Sequence, residues 1–322
     1  MKLLLKILAG LVLLVVVCAG GFVSFIELRG IPKYDAPTIP EFKVESTPER
    51  VAVGAKIAGV QCKVCHTGAG GKLTGKFISD LPPDFGHVNS ANITHSKEHG
   101  IGNMSDAEIA YFLRTGLHKN GQYVPLYMPK YPHLSDEDLR CVIAWLRSDD
   151  PMLVADETPT IPTDPSFLTK FLCFVAFKPI PYPTAIISQP DTTNAVVYGK
   201  YLVEGRYDCW TCHSMDFKTL NFAEPSKTPG YCQGDNMMLN LEGHKIYTAN
   251  ITQDEKTGLG TWNEDDFRRA MHDVKSKNGK TLRYPMLPYN SLTDAEVSAI
   301  WQYLRSIPKI SNEVDRQWDK DI

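Results

Sequence analysis

The sequence predicts an all-α protein made of two copies of one helical unit behind a membrane-spanning helix. Three observations carry this reading. Helix caps stand immediately before periodic apolar faces, no run alternates apolar and polar residues as an extended sheet would, and short elements recur in one register across the chain. The 322 residues suffice for about two domains. Apolar residues at 43% and charged residues at 22% match an ordinary folded protein, which excludes wholesale disorder and a polytopic membrane protein. A net charge of −3 excludes a general nucleic-acid binder.

The first element is the anchor, residues 1–30. Ile7 to Ile26 is a 20-residue stretch with no charge, long enough to span a bilayer. Lys2 and Lys6 precede it and Glu27 and Arg29 follow, which keeps the N-terminus cytoplasmic and exports everything beyond Gly30. A cleaved signal ending near Val17-Cys18-Ala19 is the alternative. The apolar run continues through Phe22, Val23, Phe25 and Ile26, which favours an uncleaved helix with Cys18 as one of its apolar residues.

Residues 31–47 are Pro-rich and read as a tether to the first unit, 48–150. A second Pro-dense stretch, 151–190, is the interdomain linker, and the second unit occupies 191–322. Within the linker, Phe167 to Phe177 is apolar but too short to cross a membrane. Packing against both units is preferred there to contact with a membrane surface.

The two units are a tandem duplication. Ala91-Asn92-Ile93-Thr94 recurs as Ala249-Asn250-Ile251-Thr252, and Gly100-Ile101-Gly102 as Gly258-Leu259-Gly260. Met128, Tyr131 and Leu134 recur as Met286, Tyr289 and Leu292, and Leu146-Arg147-Ser148 as Leu304-Arg305-Ser306. All four share one offset of 158 residues. In each unit the signals are helical. Ser105 to Glu108 and Thr293 to Glu296 fit the capping box, with Ser135 to Asp138 and Asn263 to Asp266 as looser versions. Leu139, Val142, Ile143 and Leu146 share a helical face, as do Val297, Ile300, Trp301 and Leu304. Thr47-Pro48 and Asn194 are candidate starts for the helices that lead into the cysteine motifs.

Those motifs carry the chemistry. Cys62-Lys63-Val64-Cys65-His66 and Cys209-Trp210-Thr211-Cys212-His213 have the spacing of c-type haem attachment. Two thiols three residues apart add to the two vinyl groups of one porphyrin, and the adjoining imidazole faces the iron. A zinc site would need a second ligand pair nearby, and a thioredoxin-like redox pair would need a βαβ setting. Neither accompanies these motifs, so the expected cofactors are two covalently bound haem c. The repeat also supplies a sixth ligand. Met128 and Met286 are equivalent and each lies in a Pro-rich turn, whereas Met104, Met152, Met215, Met237, Met238 and Met271 lack a methionine partner at the offset and read as filler. His87, His95, His99, His118, His133, His244 and His272 likewise lack histidine counterparts and read as loop or surface residues.

A Cys-x-x-Cys-His near the start of a helical unit, a Met-containing turn and a terminal Leu-Arg-Ser helix resemble class I cytochrome c. The Ala-Asn-Ile-Thr and Gly-Ile-Gly elements are similar to those of cytochrome subunits of bacterial membrane-bound alcohol and sugar-acid dehydrogenases. The resemblance covers roughly 48–150 and 191–310. It implies His66/Met128 and His213/Met286 coordination, in a bacterial inner-membrane protein with its haem units in the periplasm. It departs from those subunits in having two haem motifs rather than three, and in its N-terminal span.

An iron with six ligands offers no open position, so the expected function is one-electron relay rather than catalysis. The relay would run between a quinol-oxidising complex or dehydrogenase and an acceptor such as a terminal oxidase, either as a free carrier or as a subunit of a respiratory or dehydrogenase complex. The competing reading is a dihaem peroxidase, which needs one haem that can open for peroxide; equivalent methionines in both units argue against it. Of the other thiols, Cys141 falls on an apolar helical face and reads as packing, and Cys173 and Cys232 are candidates for a disulfide.

Overall fold

The structure is a computed structural model that describes residues 2–315. It is helical, with two short antiparallel ribbons. Helix α1 (Lys2–Arg29) is long and apolar enough to cross a membrane, and Ile26 is its one buried residue.

Each half is organised by the crossing of an early helix with the last one: α2 (Pro48–Gln61) with α5 (Asp136–Leu146), and α7 (Ala195–Tyr201) with α10 (Asp294–Ser306). A glycine makes each crossing close. A Cβ on Gly54 would lie 1.9 Å from the Cys141 carbonyl oxygen, and one on Gly199 would lie 1.9 Å from that of Ala299. Cys141 and Ala299 stand at the 158-residue offset, so the same contact is made twice. Around it lie two cores. Ile57, Leu139, Ile143 and Trp145 centre the first, and Trp210, Val297, Ile300 and Trp301 centre the second.

The caps form as the sequence predicts. Thr47 and Asn194 cap α2 and α7, and full capping boxes open α4 (Asp106–Thr115), α9 (Glu264–Asp273) and α10. Ser135 caps α5, but the Asp138 carboxylate that would complete its box is engaged across the interface between the halves.

Two expectations change, the free tether and the disulfide, and the linker takes a defined place. Residues 31–47 are strapped onto the first half rather than free: the Tyr34 N–H donates to the Gly121 carbonyl at 2.9 Å, and Phe42 is buried beneath Arg140. The linker also lies against the first half. Its carbonyls at Asp156 and Thr158 accept from the Asn92 amide, and Asp164–Pro165 (β2) pairs with Gly86–His87 (β1). Helix α6 (Phe167–Val175) packs on the first half and on α1, with Phe217 as a neighbour from the second half. Cys173 and Cys232 are both free thiols, buried in separate cores, so they do not pair.

The second half has a longer approach to its cysteine motif. Gly54 precedes Cys62 by eight residues, whereas Gly199 precedes Cys209 by ten. The two extra residues are absorbed in a π-helical turn, Leu202–Arg206, closed by the Tyr207 N–H donating to the Leu202 carbonyl at 3.0 Å. Arg206 is thereby carried into the interface. Its guanidinium donates to Asp138 at 2.6 and 3.0 Å and to Glu296 at 3.0 Å. Asp138 and Glu296 are themselves equivalent. Lys56 of the first half bonds Glu296, and its counterpart Tyr201 bonds Asp138. The interface is thus reciprocal, as in a two-fold dimer joined into one chain.

Candidate functional site

The first cysteine motif straddles the end of α2. Cys62 closes that helix and opens the single turn α3 (Lys63–His66), so Cys62, Cys65 and His66 are set on consecutive turns. In the second half Asp208, in the left-handed region at φ 55°, redirects the chain into α8 (Cys209–His213). Burial raises the Cys62 and Cys209 thiols to about 12 and that of Cys65 to about 11. Burial also lowers both imidazoles, which keeps the rings neutral.

The two imidazoles are held alike. His66 Nδ1 is 2.7 Å from the Ala91 carbonyl oxygen, and His213 Nδ1 is 2.8 Å from that of Ala249. A carbonyl only accepts, so the proton resides on Nδ1 and the Nε2 lone pair is left for a metal. The repeated Ala-Asn-Ile-Thr element fixes those carbonyls. Asn92 Oδ1 accepts from the N–H and hydroxyl of Thr94 at 2.9 and 2.7 Å, and Asn250 does the same for Thr252 at 2.9 and 2.8 Å. The asparagine amides then clamp the chain beyond the last helix, at Asp156 and Thr158 in one half and at Ile310 in the other.

The methionine turns are also built in parallel. Met128 N–H donates to Pro125 and Met286 N–H to Arg283, at 3.2 and 2.9 Å. Three residues on, Tyr131 N–H donates to Leu113 and Tyr289 N–H to Met271, at 2.8 and 2.6 Å. Met128 packs on the first core and Met286 on the second. One residue breaks the parallel. Lys130, fully buried and lowered by burial to about 7, donates to the carbonyls of Pro125 and Met128, whereas its counterpart is Pro288. Nothing in the repeat signalled that lysine.

These residues fit haem c on three grounds. The thiols, imidazole and thioether are its donor set. The imidazole tautomer is the metal-ligating one. The Tyr131 hydroxyl, buried near Cys62 and Cys65, has no partner among the described residues, as expected of a polar group that faces the cofactor. Zinc fits poorly, because the motifs assemble no cluster of three ligands; among the described residues that arrangement occurs at Glu98, His99 and Glu157. His95 and His133 are tied to the carbonyls of Leu146 and Phe222, and His118 stacks on Phe112, so none of these three is placed as a ligand by its contacts.

The two motifs are neighbours. The Gln61 amide donates to the Arg206 carbonyl at 2.8 Å, joining the residue before Cys62 to the turn before Cys209. Tyr284, two residues before Met286, donates to Asp80 at 2.9 Å, and both line one cleft with Cys65.

Residues 51–149 match the cytochrome c family model. The chain is 28% identical to the gluconate 2-dehydrogenase cytochrome c subunit of Pantoea cypripedii, over 76% of this chain and 56% of that one. It is 28% identical to the fructose dehydrogenase cytochrome subunit of Gluconobacter japonicus, over 77% of this chain and 50% of that one. It is 26% identical to the cytochrome c subunit of a quinone-dependent alcohol dehydrogenase of Gluconobacter oxydans, over 77% and 52%. The chain therefore spans about half the length of the curated relatives it matches. Those relatives are named as cytochrome subunits of dehydrogenases. Residues 51–149 are a cytochrome c domain, and the chain that carries it is similar to the cytochrome c subunits of dehydrogenases.

Proposed function

We propose that this protein is a membrane-anchored dihaem cytochrome c, with one haem in 48–150 and one in 191–322. It relays single electrons from a dehydrogenase or quinol-oxidising complex to an acceptor such as a terminal oxidase on the periplasmic side of a bacterial inner membrane. The observation that carries the reading is the matched pair of imidazole-to-carbonyl bonds at His66 and His213.

Bound haem c supplies a one-electron couple. The chain does the rest. Cys62 and Cys65, and Cys209 and Cys212, hold the cofactor by two thioethers each. His66 and His213 present Nε2 to the iron in an orientation fixed by Ala91 and Ala249, and Met128 and Met286 present a thioether that favours the ferrous state. The cores pack against each motif, and the Gln61–Arg206 and Asp80–Tyr284 contacts keep the two sites in a fixed relation. Similarity to dehydrogenase cytochrome subunits supports a dehydrogenase as donor.

Ferric and ferrous spectra test the ligand sets. Two low-spin haems with the thioether-to-ferric-iron absorption band are expected, and Met128→Ala and Met286→Ala should each abolish about half of that band. A high-spin haem in the unaltered protein would contradict the assignment at one site. Co-purification of a flavin- or quinone-containing dehydrogenase from detergent-solubilised membranes tests the donor, and recovery of the cytochrome alone would argue for a free carrier.

A further inference from the structure

Helix α6 has two faces of different fate. Thr169 and Cys173 turn inward, where the Thr169 hydroxyl donates to the Phe85 carbonyl at 2.9 Å and Cys173 lies among Phe85, Leu117, Tyr123 and Phe177. Phe167, Leu168 and Val175 turn outward and are 38%, 40% and 55% exposed. Between these faces α6 lies against the membrane-spanning helix. Phe171 meets Phe22 at 6.2 Å and Phe174 meets Phe25 at 5.6 Å, and Lys170 pairs with Glu27 at 2.5 Å.

We propose that α6 is an interfacial helix whose exposed apolar face lies in the headgroup–acyl boundary of the bilayer that α1 crosses. This rests on the reading of α1 as an uncleaved anchor. Glu27 is the first charge after the span and marks the water-facing end of the hydrocarbon. At a rise of about 1.5 Å per residue, Phe25 and Phe22 lie about 3 and 7.5 Å below it. Phe174 and Phe171 meet these two rings, at no more than the ~5–10 Å depth that interfacial helices reach. The outward residues continue the lipid-facing surface of α1, with no charged residue among them, while Lys170 keeps its ammonium at the level of Glu27. The continuity of that surface with α1 selects a bilayer as occupant rather than a second protein. The first half is then held to the membrane by two adjacent elements, which limits its swing about residue 30.

The test uses the unaltered holoprotein in nanodiscs of phosphatidylcholine and phosphatidylglycerol, with a fraction of the lipid carrying a photoactivatable diazirine in its acyl chain. Adducts are then mapped by peptide mass spectrometry. Adduct yield on 167–175 at least tenfold above that on the exposed loop around Leu241 is the expected result. Adducts on α1 with α6 no higher than the Leu241 loop would overturn this proposal and leave the anchor standing. Absence of adducts on α1 would overturn the anchor reading and this proposal with it.

Discussion

His66 and His213 each engage Nδ1 with a backbone carbonyl whose position depends on the buried asparagine that follows it. Asn92→Ala leaves Thr94 and the carbonyls of Asp156 and Thr158 without their partner, at a cost of about 1–3 kcal/mol, and Asn250→Ala does the same at Thr252 and Ile310. The fall in denaturant midpoint of each variant measures it; no change in either would show that the clamp is dispensable. Glu296 adds a pH dependence. Burial works to raise its carboxyl, but Lys56 and the Thr293 N–H more than offset that and hold it below the ordinary carboxylate range. Its stabilising effect is therefore full above about pH 4.3 and is lost as pH falls through the depressed value. The acid limb of the stability profile should be shallower in Glu296→Gln than in the unaltered protein. At this scale the two cysteine–histidine motifs were legible from their spacing, and the parallel turns at Met128 and Met286 from the repeat offset. Lys130 was not legible, because a lone lysine in a turn carries no pattern and its role comes from burial against the Met128 carbonyl.

The helices follow from their caps and apolar faces, and the boundaries of α2, α4, α9 and α10 lie where Thr47, Ser105, Asn263 and Thr293 place them. The crossings depend on a single glycine each. Gly54→Ala and Gly199→Ala force a Cβ into a carbonyl of the facing helix, and overpacking of this kind costs about 1–3 kcal/mol or more. Thermal melts followed by the thioether-to-ferric-iron band should show each substitution lowering the transition, with the methionine ligation of its own half lost first. Equal loss from both halves would contradict two separately organised cores. The π turn at 202–206 escaped the sequence reading. A two-residue insertion is visible only once Gly54 and Gly199 are known to be equivalent, and their equivalence rests on contacts with Cys141 and Ala299 rather than on neighbouring sequence. The Met237–Leu239 and Lys245–Tyr247 ribbon escaped for a related reason. It occupies the longer stretch between Cys212 and Ala249, where the extra length breaks the register with the first half's Phe77–Asn89 bridge.

At the scale of the whole chain the two halves meet reciprocally. Lys56 with Glu296 and Tyr201 with Asp138 form a reciprocal pair of contacts, and Arg206 ties both carboxylates together. Removing one member of so buried a charge network leaves the others uncompensated, so Arg206→Ala should cost about 3–5 kcal/mol. Potentiometric titration of that variant should also show weaker interaction between the two haem potentials, whereas an unchanged titration with lowered stability would confine Arg206 to a structural role. The most direct test of the central claim is the intact mass of the protein purified from membranes with its covalent cofactors. The account predicts the polypeptide plus two haem groups, falling to one in Cys209→Ala/Cys212→Ala. A polypeptide carrying a single haem before any substitution would contradict it.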